Sequence, residues 1–149
     1  MIPDLVDGVL PIGIHDCTIA EVEKAFGKFQ STDRRPVLTE KLRRYLGEAQ
    51  LSGTATAVVI DGSYVTGKPD PGDIDLILVL RGDVDLTADL TPLEYNIQSR
   101  GRARQRYGFD VRVATEGSDA LAKYIDFFSM VRSDALGPQP RKGLLRVLL

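Results

Sequence analysis

The chain has 149 residues, enough for one domain that buries about 70% of its unfolded surface and too few for a separate substrate-recognising domain. Its 43% hydrophobic and 27% charged residues are the balance of an ordinary globular protein, and a net charge of −2 excludes indiscriminate attraction to nucleic acid, which would need a local basic patch. The single cysteine, Cys17, excludes an internal disulfide; with no apolar run near the ~20 residues of a membrane span and no basic segment before an apolar one at the N-terminus, a cytoplasmic protein is expected.

Residues 1–17 carry Pro3, Gly8, Pro11 and Gly13 among apolar residues, which predicts an extended arm on the domain surface. His15, the sole histidine, has no companion in a metal-binding pattern, so a surface or capping role is expected. A helical stretch over 18–52 follows. Thr18 and Glu21 make a capping box, and Ile19, Val22, Ala25, Phe26 and Phe29 recur at helical spacing, predicting a helix from about 19 to 29. Asp33 to Pro36 breaks it. A second helix, about 36 to 50, turns Val37, Leu38, Leu42, Tyr45, Leu46 and Ala49 inward; Arg34, Arg35, Lys41, Arg43 and Arg44 read mostly as a solvated face, with a phosphate-facing subset left open.

The core of the pattern spans 56–115. Ser52-Gly53 ends the second helix, Thr56 to Asp61 begins a sheet, and Gly62-Ser63 turns into a polar loop holding Lys68, Pro69, Asp70, Pro71 and Gly72. A second strand opens on two carboxylates, Asp73 and Asp75. Alternate strand residues share a face and rise about 3.3 Å each, so the two acids are expected roughly 6.6 Å apart at the backbone, a place to hold a divalent metal. Beyond them Leu76, Leu78 and Leu80 line one face and Ile77 and Val79 the other, the pattern of a central strand covered on both sides. Clustered acids at the end of such a strand repel one another, and something positive must offset that.

Thr91-Pro92-Leu93-Glu94 supplies an N-cap, a first-turn proline and a third-position acid, predicting one helix from about 92 to 106. On it Arg100 and Arg104 share one face and Arg102 and Arg106 another; favourable placement near the helix C-terminus is the leading explanation, ahead of RNA or triphosphate contact. Phe109, Val111 and Val113 alternate with Asp110 and Arg112, so Asp110 can stand opposite Asp73 and Asp75 if the strands are neighbours. A C-terminal segment, 118–149, comprises a helix capped by Ser118 or Asp119 and running to about 131, a loop over 137–140 and a short strand at 141–149. That final apolar run needs cover from the sheet edge, the arm or a second subunit.

Three lookalikes compete for the central stretch. Gly62-x4-Gly67-Lys68 matches most of a Walker A loop, but Pro69 has neither the hydroxyl nor the amide hydrogen that such a loop needs next. Gly82-Asp83-Val84-Asp85-Leu86 nearly repeats Gly72 to Leu76 without a Gly-Ser before it, and reads as a solvated turn. Asp70, Asp73 and Asp75 lack the other ligands of a calcium loop.

Nine residues separate Ser63 from Asp73, and apolar-Gly-Ser, spacer, Asp-apolar-Asp-apolar resembles the signature of the nucleotidyltransferase superfamily. That superfamily includes polymerase-β-like enzymes and the minimal nucleotidyltransferases of toxin–antitoxin and defence modules. The resemblance covers about residues 56–115 and implies an α/β (α+β) fold over 1–149, a small mixed twisted sheet with helices mainly on one face. It implies that Gly62 and Ser63 hold the outer phosphates of a nucleoside triphosphate. Asp73 and Asp75 would ligate two magnesium (or manganese) ions, and Asp110 would complete the set and help deprotonate an acceptor hydroxyl. Lys68 or Arg112 would neutralise triphosphate charge. The implied acceptor is a partner toxin protein or the 3′ end of tRNA. The alternative is a catalytically silent nucleotidyltransferase-like module, an antitoxin or scaffold; a nucleotide-sugar transferase is disfavoured by chain length and by the Gly-Ser spacing.

Overall fold

Five strands, β1 (Ile14–Cys17), β2 (Ala55–Asp61), β3 (Asp75–Leu80), β4 (Asp110–Thr115) and β5 (Leu144–Leu148), form one open mixed sheet in the order β1-β5-β2-β3-β4. The structure is a computed structural model that describes residues 1–28, 30–131 and 140–149. β2 pairs antiparallel with β3 and with β5, whereas β3 with β4 and β1 with β5 run parallel. Parallel β3 and β4 require a crossover, which α3 (Pro92–Gln98) and α4 (Arg100–Tyr107) supply.

Helices α1 (Ile19–Phe26), α2 (Arg34–Ser52), α3 and α4 pack over Leu76, Leu78 and Leu80 of β3, while α5 (Asp119–Phe128) covers Ile77 and Val79 on the other face. The sheet is therefore buried on both sides with helices mainly on one, as the alternation along β3 predicts. Leu121, Tyr124, Ile125 and Phe128 are the stripe by which α5 docks. Thr18 and Glu21 form the expected capping box, and Thr91 and Ser118 cap α3 and α5 through their side chains. Among the described residues no helix is long and apolar enough to cross a membrane.

Several boundaries differ from expectation for local reasons. α1 stops at Phe26 with Gly27 as its cap and leaves Ala25 exposed; Phe29 and most of the 137–140 loop lie outside the described residues. The single helix expected over 92–106 is two, because Ser99 is extended (φ −72°, ψ 122°), closing α3 and capping α4 through the Arg102 amide. α5 ends at Phe128, short of 131. The N-terminal arm does more than lie on the surface. Its β1 runs parallel to β5, which is thereby sandwiched between β1 and β2, so Leu144, Leu145 and Val147 of the terminal apolar run are covered within the chain while Leu148 stays 62% exposed. His15, on β1, bonds through Nε2 to the Pro11 carbonyl at 2.7 Å, a structural role.

The largest correction concerns Arg35, which is 2% exposed rather than solvated. It stands in the inward stripe with Leu38, Leu42, Tyr45 and Ala49, whereas Val37 is exposed. Its guanidinium lies over the Phe26 and Tyr64 rings and donates to four carbonyls, those of Phe26 (3.0 Å), Tyr64 (2.7 Å), Thr66 (2.8 Å) and Lys68 (2.6 Å). Arg34 extends the grip through the Pro71 and Gly72 carbonyls. Together they fasten the loop between β2 and β3 to α2.

Arg35→Ala should strand those carbonyls and cost about 3 kcal/mol, lowering the thermal midpoint by roughly 6–12 °C for a domain of this size. Arg35→Lys, a point donor without the planar fork, should recover only part. A thermal melt of Arg35→Ala that matches the parent would refute this anchoring.

Candidate functional site: a carboxylate row at the sheet end

Strand register creates the site. Asp61 pairs with Asp75 across β2 and β3, and Asp75 pairs with Asp110 across β3 and β4, so three acids stand in a transverse row. Asp73 sits just before β3, where its Oδ1 accepts from the Ile74 amide at 2.8 Å. The strand thus begins at Asp75, two residues later than expected, and Asp73 belongs to the loop. All four acids line a cleft of about 1180 Å³, together with Gly62, Ser63, Lys68 and Arg112.

The loop from Gly62 to Ile74 is shaped by its own constraints. Gly62 has φ 94°, and a Cβ there would lie 2.9 Å from the Asp73 carbonyl oxygen and 3.1 Å from the Asp75 nitrogen, so the fold itself requires glycine. Ser63 opens a single 3-10 turn, Ser63–Val65, and its Oγ accepts from the Gly72 amide at 3.1 Å. A P-loop would need a helix after the loop; here β3 follows. Gly82 to Leu86 forms an exposed turn with an Arg81–Asp83 ion pair.

Burial first, and then the Asp73, Asp61 and Asp110 charges, push the Asp75 carboxyl up to about 6, with Lys142 pulling the other way. Cations answer the repulsion elsewhere in the row. Lys142 Nζ lies 2.6 Å from Asp61 Oδ1, with both side chains largely buried. Arg100 reaches Asp110 at 2.9 Å, Arg112 reaches it at 3.7 Å, and Arg104 reaches Asp73 at 3.1 Å. Arg112 lies over the Tyr124 ring, and its buried Nε has no hydrogen-bond partner among the described residues. Lys68 is exposed at the cleft, its carbonyl engaged by Arg35.

Every residue picked out from the sequence therefore lines one cleft. Hard carboxylate oxygens suit magnesium or manganese, and the orphaned Arg112 donor suits an anion. Yet among the described residues no group of three or more His, Cys, Asp or Glu is placed to hold a metal ion. Asp73 and Asp110 face arginines instead. The donor chemistry fits a divalent cation, while the side-chain positions are those of ion pairs with the chain's own cations. Sequence reasoning missed Asp61 and Lys142, and it ranked a contact of Arg100 and Arg104 with the site below a helix-dipole role. Asp61 was visible as the acid directly before Gly62-Ser63; Lys142 is 81 residues from Asp61 and left no local signal.

The Asp75 carboxyl holds its proton more tightly folded than unfolded, so its contribution to stability is intact below about pH 4 and lost as pH rises through about 6. In chelator, Asp75→Asn should therefore be more stable than the parent above pH 6, by about 1 kcal/mol after solvent screening of the half-buried group, and should match it near pH 4. Melts of the two proteins across pH 4–8 check this; parallel curves would mean that the neighbouring cations already cancel the repulsion.

The sequence profile of one family, described as a family of unknown function (DUF6932), matches residues 3–148. No curated protein and no solved structure matches the chain. With nearly its whole length matched, the chain belongs to the family of unknown function DUF6932.

Proposed function

We propose that this protein is a nucleotidyltransferase that moves a nucleoside monophosphate from a nucleoside triphosphate to a hydroxyl of a protein or RNA. The observation that carries the reading is the register that sets Asp75 beside Asp110, with Asp73 and Gly62-Ser63 lining the same cleft. It supports the resemblance seen in the spacing from Gly62 to Asp75.

In this reading, backbone amides about Gly62 and the Ser63 hydroxyl bind the outer phosphates, with Lys68 and Arg112 balancing their charge. Asp73, Asp75 and Asp110 would hold magnesium or manganese, which would supply Lewis-acid polarisation of the reacting phosphate. Asp110 accepts the acceptor's proton as its oxygen attacks the α-phosphorus. One O–P bond forms, the bridging α–β P–O bond breaks, and pyrophosphate leaves with the electron pair. A cytoplasmic setting supplies the nucleotide. By resemblance, the acceptor is a toxin-like partner protein or tRNA, and association with that partner or with further copies belongs to the same proposal.

A binding module without chemistry is the second reading, an antitoxin or scaffold. It is favoured by one observation: cations of the chain itself already face Asp61, Asp73 and Asp110, so the acidic row is tolerated without any metal.

Incubation with nucleoside triphosphates labelled at the α-phosphate, magnesium and a cell lysate should label a macromolecule, whereas γ-labelled nucleotide should not. Magnesium with a nonhydrolysable triphosphate should raise the thermal midpoint. Asp110→Asn should keep most of that shift and lose transfer by about a thousandfold, several kcal/mol in the barrier. A midpoint indifferent to magnesium nucleotide, with no α-label transferred, would leave the binding module as the better account.

A further inference from the structure

The four arginines of α4 do not act alike. Arg102 donates to Asn96 Oδ1 at 2.9 Å, and Arg106 pairs with Glu48 at 2.5 Å while lying over the Tyr107 ring, so both tie α4 to its structural neighbours. Arg100 and Arg104, one turn apart on the other face, reach Asp110 and Asp73 across the end of the sheet. The helix dipole does not explain Arg100. The break at Ser99 makes it the first residue of α4, where a cation is disfavoured.

Exposure separates the pairs that can be exchanged from those that cannot. Lys142 and Asp61 have side chains 14% and 7% exposed, and breaking that pair would strand a buried charge. Arg104 and Asp73 are 54% and 37% exposed, and Arg100 is 62% exposed against 18% for Asp110. The Arg104–Asp73 pair, solvated at both ends, contributes little and comes apart readily, and Asp110, though more enclosed, keeps Arg112 at 3.7 Å when Arg100 leaves. Both pairs involve carboxylates assigned to metal, while Arg104 itself lines the cleft that would take the triphosphate.

Resting on the nucleotidyltransferase reading, we propose that Arg100 and Arg104 are exchangeable counter-ions, holding Asp110 and Asp73 in the nucleotide-free protein and transferring to phosphate oxygens when a metal-bound triphosphate enters. They are positioning residues that oppose metal alone and favour metal with nucleotide. The cleft thus disfavours the free ion relative to the pair.

Binding of Mn²⁺ alone, of nonhydrolysable ATP alone, and of ATP with Mg²⁺ is measured by titration calorimetry and thermal shift for the parent, Arg104→Gln, Arg104→Lys and Arg102→Gln. Arg104→Gln should bind Mn²⁺ about twofold to fivefold tighter, since a competitor of modest strength is gone, and bind magnesium nucleotide about tenfold or more weakly. Arg104→Lys should lie between parent and Arg104→Gln, and Arg102→Gln, the same charge change on the structural face, should match the parent in both. If Arg104→Gln leaves both affinities unchanged in a parent that binds metal and nucleotide, or weakens both, the exchange is overturned and the nucleotidyltransferase reading stands. If neither parent nor variants bind Mn²⁺ or nucleotide, both fall together.

Discussion

The structure is organised against one repulsion. Register brings Asp61, Asp75 and Asp110 side by side on neighbouring strands, where like charges directly opposite one another are destabilising, and Asp73 adds a fourth charge at the strand entrance. The answering cations come from three places: Lys142 just before β5, Arg100 and Arg104 on α4, and Arg112 on β4 itself. The placement of α4 and of the start of β5 is thereby tied to the sheet end by charge as well as by packing. Asp75 makes no such pair among the described residues, and it is the carboxyl whose proton affinity rises.

A second constraint makes the cleft usable. A loop that presents backbone amides to an anion is effective only when those amides are already in place, because ordering them on binding would cost conformational entropy. Here Arg35 and Arg34 take six carbonyls of α1 and the loop, Ser63 closes the loop on Gly72, and the arm adds a bond from the Gly67 amide to the Gly8 carbonyl. Even the N-terminal arm, remote in sequence, therefore helps shape the cleft wall.

Two kinds of ion pair coexist around the acids, and they divide the labour. Lys142 with Asp61 is buried and acts as part of the scaffold, lowering the charge that the row presents. The Arg104–Asp73 pair is solvated and easily broken, and Arg100 itself is exposed, so these pairs constrain the electrostatics of the cleft less than the buried one does. This contrast also lets a protein of net charge −2 balance a cluster of four acids locally.

The elements were readable where local chemistry decides them. Capping at Thr18, Thr91 and Ser118, the two apolar faces of β3 and the alternation about Asp110 all follow from hydrogen-bonding and periodicity within a few residues. The break at Ser99 was harder, since the arginines and Ala103 after it favour a continuous helix and only the serine hydroxyl and Gly101 argue against one. Arg35 held a signal that charge concealed, for it falls in the same helical stripe as Leu38, Leu42 and Ala49. By itself the sequence determined the α/β class, the central strand and the grouping of Gly62, Ser63, Asp73 and Asp75 in one candidate site, because each rests on spacing along the chain, whereas Asp110 joined them only through the pairing of β4 with β3. Only the tertiary structure decided that Asp61 joins the row, that Lys142 and the α4 arginines supply its counter-charges, and that Arg35 anchors the loop; these depend on strand register and on contacts between residues tens of positions apart, which no local pattern encodes.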